Sequence, residues 1–292
     1  MFAYRESIPT YYLRKTSQSL QVQSTNFIEY KLIRLLLGII DIELEDGTII
    51  NQRNNFSSIP SAINSRQSLR TLRDSIAPNT LQDFESYLIK SNTNNRGLIQ
   101  EILTEFSFYI DCIKNNKQTQ GFLHLYRTFE FISYSFPLIH ASISRNYKGT
   151  FTNLKSYFKD NVNEISFLNK FVEKFLENDP VLETSIDVNI RNVDQATQNQ
   201  LYAAIKRIFS SQNYLNFDDQ NQSLNYEYKD TFNLFYFIRN RYFHFALGGQ
   251  TNISSHSIRN PEFLFEHFNP GFTNWITYLY VEILRVQIDR WK

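Results

Sequence analysis

One cysteine, Cys112, serves all 292 residues. It excludes an intrachain disulfide and a multi-cysteine metal site, and it fits a reducing, cytoplasmic setting. Seven prolines and eight glycines against 26 Phe and 18 Tyr leave little material for tight turns and favour helices. A net charge of +1 gives no global basic footprint, so any contact with nucleic acid must come from a local patch. The longest apolar run, residues 32–42, contains Arg34 and Asp41 and is too short to span a bilayer. Residues 1–15 lack the apolar core of a signal peptide. A soluble protein away from the membrane is therefore expected. There is no Gly-rich phosphate loop, no Ser-His-Asp arrangement and no dinucleotide fingerprint. His124, His140, His256 and His267 have no metal-ligand spacing with carboxylates or cysteine, so neither a metal nor a cofactor is expected.

What remains is 42% hydrophobic, sufficient for a core and against global disorder. The pattern predicts a mainly α protein: an α-rich N-terminal region over residues 1–118 with one small β-hairpin, then a helical bundle over 119–292. The hairpin is read from alternation over 39–44, an Asp46-Gly47 turn and the run Thr48-Ile49-Ile50. Helical spacing marks residues 26–40, 65–76, 80–90, 96–113, 121–136, 151–158, 166–176 and 194–209. The polar segment 114–120 reads as the linker, Pro137 as a kink or stop, 181–190 as a short strand or extended loop, and 213–222 as loop. Asn269-Pro270 is expected to open the last helix. Two basic features have two readings each. Arg66, Arg70 and Arg73 share a helix face that is either solvated or an RNA contact. Tyr4, Tyr11 and Tyr12 with Arg5, Arg14 and Lys15 form either a docked terminal segment or a base-stacking surface.

Residues 231–249, TFNLFYFIRNRYFHFALGG, stand apart. The first half reads as a helix buried on most sides. Arg239, Asn240 and Arg241 then arrive together, followed by His244, and Gly248-Gly249 supplies a stop. Two guanidinium groups and an imidazole are costly to bury without partners. Five residues turn an ideal helix roughly 140°, so Arg239 and His244 diverge unless the helix is distorted or Arg239 curls, whereas Asn240 and His244 share a face. Arg239 needs a carboxylate. Glu130, within residues 121–137 (GFLHLYRTFEFISYSFP), is the candidate, with a surface pair to Arg127 as the competing reading.

Arg239-Asn240-x-x-x-His244 resembles the R-polar-x-x-x-H signature of the HEPN superfamily (higher eukaryotes and prokaryotes nucleotide-binding domains), and 121–137 looks like the first helix of such a bundle. The resemblance implies a metal-independent endoribonuclease of the bacterial toxin or antiphage-defence kind. Arg239, Asn240 and His244 would be catalytic, with Glu130, Arg241 and Arg127 in support. It also implies RNA as substrate, a homodimer that pairs two histidines, and an antitoxin or activating ligand as further partner. The alternative is a catalytically silent HEPN module that binds RNA, a nucleotide or a partner protein.

Overall fold

The computed structural model describes residues 2–14, 16–59, 67–91, 93–157, 164–191, 194–243, 252–258 and 260–291. The fold is mainly α, with two small antiparallel sheets of three strands each among the described residues. No helix among these residues is long and apolar enough to cross a membrane. The chain divides into two compact units: residues 1–115, 120–171 and 273–292 form the first, and 116–119 with 172–272 the second.

The first unit begins with β1 (Ala3–Glu6) and the short α1 (Thr10–Leu13), followed by α2 (Ile28–Leu36). Next come β2 (Ile40–Glu43) and β3 (Ile49–Gln52), the expected hairpin. The pairs Ile42↔Ile50 and Ile40↔Gln52 set its register, and Gly47 takes φ +82° at the turn as Asp-Gly predicts. Gly38 joins α2 to β2 with φ +71°, and a Cβ there would stand 2.6 Å from the Asn54 carbonyl oxygen, so only glycine fits. β1 pairs on the other side of β2. That pairing uses up part of the N-terminal aromatic-cation mixture. The Tyr4 hydroxyl lies 2.8 Å from the Ser107 hydroxyl, and Arg5 is bound to Glu43. For these two residues the terminal segment is docked.

The helices α3 (Leu69–Ile76), α4 (Leu81–Ser91) and α5 (Arg96–Lys114) follow. Ser68 caps α3. Thr80 and Asp83 exchange bonds in a capping box at α4, with Asp83 N donating to Thr80 Oγ1 at 3.1 Å and Thr80 N to Asp83 Oδ2 at 2.9 Å. α6 (Gln118–Ile143), α7 (Tyr147–Tyr157) and α8 (Glu164–Phe175) complete the series.

The segment expected as a domain linker is the turn of a helical hairpin. α5 ends at Lys114, α6 begins at Gln118, and Asn116 takes φ +57° between them. The turn is polar and exposed, and the two compact units change over within the segment, at 115/116 and 119/120. Pro137 does not stop α6, which continues to Ile143. Packing on the flanking turn, such as Phe136 against Tyr280 at 5.9 Å, outweighs the one backbone bond that proline removes.

In the second unit, β4 (Ser185–Asn189) realises the strand reading of 181–190, and Asp194 caps α9 (Gln195–Phe209) through Thr197 N at 2.8 Å. β5 (Asn216–Asp218) and β6 (Ser223–Glu227) form a sheet in the order β4-β6-β5. β5 lies inside the segment expected as loop. It is an edge strand whose one apolar residue, Phe217, meets the Tyr202 ring at 6.4 Å, so it carries almost no alternation to read. Then come α10 (Thr231–Phe243), α11 (Ser255–Ile258) and α12 (Pro261–Trp291). The last helix opens nine residues earlier than Asn269-Pro270 suggests. Asn260 caps it, with Glu262 N donating to Asn260 Oδ1 at 3.0 Å, and Pro261 sits at its first position.

Candidate functional site

α10 is a helix because an apolar surface receives nearly every turn of it. Thr231, Phe232, Leu234, Phe235 and Ile238 are buried. Phe235 meets Phe272 at 4.6 Å between centroids, and Phe237 meets Phe209 at 5.1 Å. Near its end, Tyr242 packs edge-on against Phe265 at 5.0 Å. The returning chain closes on the same end: Ile253 N donates to the Arg241 carbonyl at 2.9 Å, and the hydroxyls of Tyr242 and Ser255 lie 3.3 Å apart. The motif therefore sits where an aromatic-walled helix reaches the surface, and Arg239, Asn240 and Arg241 are all half-buried.

The helix runs without a break from Thr231 to Phe243. No distortion interrupts it over these residues; the cleft expected between Arg239 and His244 lies outside them, and the contact described within them is that of the Arg239 guanidinium. Its Nη1 donates to Asn240 Oδ1 at 2.8 Å, a bond between sequence neighbours that only a long side chain can make. The bond turns the donor end of the Asn240 amide away from the guanidinium. Arg241 lies with its guanidinium carbon 5.0 Å from the Phe237 ring centroid, a cation–π contact one turn back. Its Nη1 is buried and has no hydrogen-bond partner among the described residues. A buried guanidinium donor without an acceptor is costly, and it is the kind of group an anionic oxygen satisfies. His244 lies outside the described residues, as do Gly248 and Gly249.

The supporting residues expected on α6 have their own surroundings. Arg127 Nη2 stands 3.1 Å from Glu105 Oε1, and His124 Nδ1 stands 2.8 Å from Glu105 Oε2. The carboxylate that Arg127 addresses is thus Glu105 of α5, almost fully buried, whereas Glu130 is exposed. Phe108 stacks on the His124 ring at 5.1 Å and 15°. Sequence reasoning missed Glu105. Its signal was its position one residue before Phe106 in the apolar stripe Ile102–Phe106–Tyr109, where a carboxylate implies a cation from a neighbouring helix. Glu130 belongs to the first unit and Arg239 to the second.

Of the remaining basic features, Arg66 and Lys15 lie outside the described residues, while Arg70, Arg73, Tyr11, Tyr12 and Arg14 are at the surface of the first unit. No family model matches the chain, and no curated protein or solved structure matches it either.

Proposed function

We propose that the chain is a metal-independent endoribonuclease that cleaves RNA by 2′-OH transesterification, an effector of the bacterial antiphage-defence or toxin kind acting as a homodimer. The observation that carries the reading is the end of α10. There Arg239 donates to Asn240, and Arg241 presents a buried donor without an acceptor among the described residues. In such a reaction the ribose 2′-OH attacks the neighbouring phosphate. His244 takes that proton or protonates the leaving 5′-oxygen, as an imidazole titrating near neutrality can. The guanidinium groups neutralise the charge that builds on the pentacoordinate phosphorus. The need for a 2′-OH selects RNA over DNA. A dimer would supply a second His244, giving one acid and one base, and an antitoxin or an activating ligand would control it.

The test is cleavage of single-stranded RNA in excess chelator. The expected products carry 2′,3′-cyclic phosphate or 3′-phosphate ends. His244→Ala should lower the rate ~10²–10⁴-fold, the usual loss for a general acid or base, while the melting temperature changes little. Parent-like cleavage by His244→Ala, or strict dependence on added metal with 3′-hydroxyl products, overturns the mechanism. A chain that binds RNA without cutting it is the silent module.

A further inference from the structure

The first unit carries a surface groove of about 680 Å³, within the ~300–1,000 Å³ range of ligand clefts. The N-terminal segment lines it with Tyr12. Arg70 and Arg73 of α3 and Gln82 and Glu85 of α4 also line it. The groove therefore brings Tyr12, from the tyrosine–arginine mixture singled out in the sequence, together with Arg70 and Arg73 of the basic face of α3, and Tyr11 and Arg14 lie close to Tyr12 in the chain.

Their state suits a ligand rather than a core. Tyr11 is 72% exposed and Tyr12 51% exposed, the former among the most solvent-open large apolar side chains of the described residues. The two rings meet edge-to-face at 5.4 Å, and the Arg14 guanidinium carbon stands 5.8 Å from the Tyr11 centroid, so the aromatic and cationic groups of this segment are gathered at one exposed spot. Packing explains none of this, because burial would serve both rings better. On α3, Arg70 stands 3.5 Å from Asp74, one turn on, with both side chains about two-thirds exposed. Such a pair is weak enough to exchange for a phosphate. Arg73 is exposed and makes no ion pair among the described residues. The acid that lines the groove, Glu85, accepts a hydrogen bond from the Ser19 hydroxyl.

We infer that this groove binds single-stranded nucleic acid. Tyr11 and Tyr12 would stack on unpaired bases, and Arg70, Arg73 and Arg14 would track the phosphates. Every base has a π-face, so such a platform tolerates any sequence. A duplex hides its base faces and cannot use the tyrosines. The inference makes no use of the α10 motif and holds whether or not the chain cuts RNA.

The test is fluorescence anisotropy of the full chain with labelled 10-mers: 2′-O-methyl-uridine, which cannot be cleaved by 2′-OH attack, thymidine, and a mixed-sequence duplex. Comparing the first two separates an RNA from a DNA ligand. Neutralising about three phosphates on a single strand predicts a log–log salt slope of about −2, or roughly 15-fold weaker binding at 200 mM than at 50 mM salt. Tyr11→Ala/Tyr12→Ala should weaken single-strand binding ~10-fold or more. Arg70→Glu/Arg73→Glu should abolish it. All four side chains are exposed, so an unchanged melting temperature shows that each variant is folded. Four outcomes overturn the inference: the parent binds neither single strand, the duplex binds as tightly, a polyglutamate 10-mer binds as tightly, or the tyrosine variant binds like the parent.

Discussion

Glu6→Ala should be among the most damaging substitutions in the chain, although Glu6 ends a four-residue strand near the N-terminus. Its carboxylate meets Arg34, whose side chain is fully buried and whose Nη1 donates to Glu6 Oε2 at 2.8 Å while Nη2 bonds Oε1. Arg34 also donates through Nε to the Ile39 carbonyl at 3.0 Å and through Nη1 to the Tyr30 hydroxyl at 3.2 Å. Glu6 Oε1 further accepts from Ile8 N at 2.9 Å. Removing the carboxylate leaves a guanidinium without counter-charge in the interior, a loss of about 3–5 kcal/mol. At roughly 2–4 °C per kcal/mol for a domain of this size, the first unit should melt ~6–20 °C lower. Glu6→Gln, which keeps one acceptor and the shape, should fall between. Glu6→Leu/Arg34→Met should recover most of the loss, because an apolar pair of similar volume removes the stranded charge. Circular dichroism melts of the four proteins in one buffer decide the matter. A Glu6→Ala melting point within about 2 °C of the parent, with Arg34 intact, would refute the reasoning. The same bond holds β1 against α2, and α1 follows β1 directly, so Glu6→Ala should also weaken oligonucleotide binding at the α1–α3 groove.

Two further predictions concern ionisable groups. Burial raises the Glu29 carboxyl above the ordinary carboxylate range, against the opposing hydrogen bonds from the Tyr87 and Tyr280 hydroxyls at 2.7 and 2.9 Å. A raised folded-state pKa means stability that is fully present below the unfolded-state value and is lost as pH rises through the folded one. Glu29→Gln should therefore melt above the parent at pH 8 and converge with it near pH 4, and a variant that melts lower at pH 8 refutes this. Arg241→Met should be close to neutral in stability. It removes an orphaned donor that costs about 1–3 kcal/mol and forfeits a cation–π contact worth about 0.5–2 kcal/mol. Cleavage or binding of RNA should nevertheless fall, and a melting point more than ~10 °C lower would show that the guanidinium serves the fold.

The sequence made the helices legible wherever one face is buried, because apolar side chains then recur with the helical period, as in α5 with Ile102, Phe106 and Tyr109 inward. The β2–β3 hairpin was legible for a local reason too, since Asp46-Gly47 specifies a turn by itself. What escaped notice depends on distant partners. β1 is a strand because β2 offers it an edge, and β5 because β6 does. Pro137, itself buried, stays inside α6, and Pro270 stays inside α12 with its own ring exposed and Phe268 and Phe272 buried on either side. The motif divides along the same line. That Arg239, Asn240 and Arg241 close an apolar helix was readable from order alone. That Arg239 turns to Asn240, that Arg241 keeps an unsatisfied donor, and that Arg127 and His124 share the buried Glu105 required coordinates. The two arginine environments carry opposite implications. Glu105 with Arg127 and His124, like Glu6 with Arg34, finds its partners within the fold, an arrangement that fixes the fold. At the end of α10 the half-buried Arg241 keeps one nitrogen, Nη1, without a hydrogen-bond partner among the described residues. Selection for stability alone removes such a group, because leucine or methionine fits the aromatic wall at lower cost. Under the proposed function, a phosphate oxygen of the RNA is the group that would satisfy this donor.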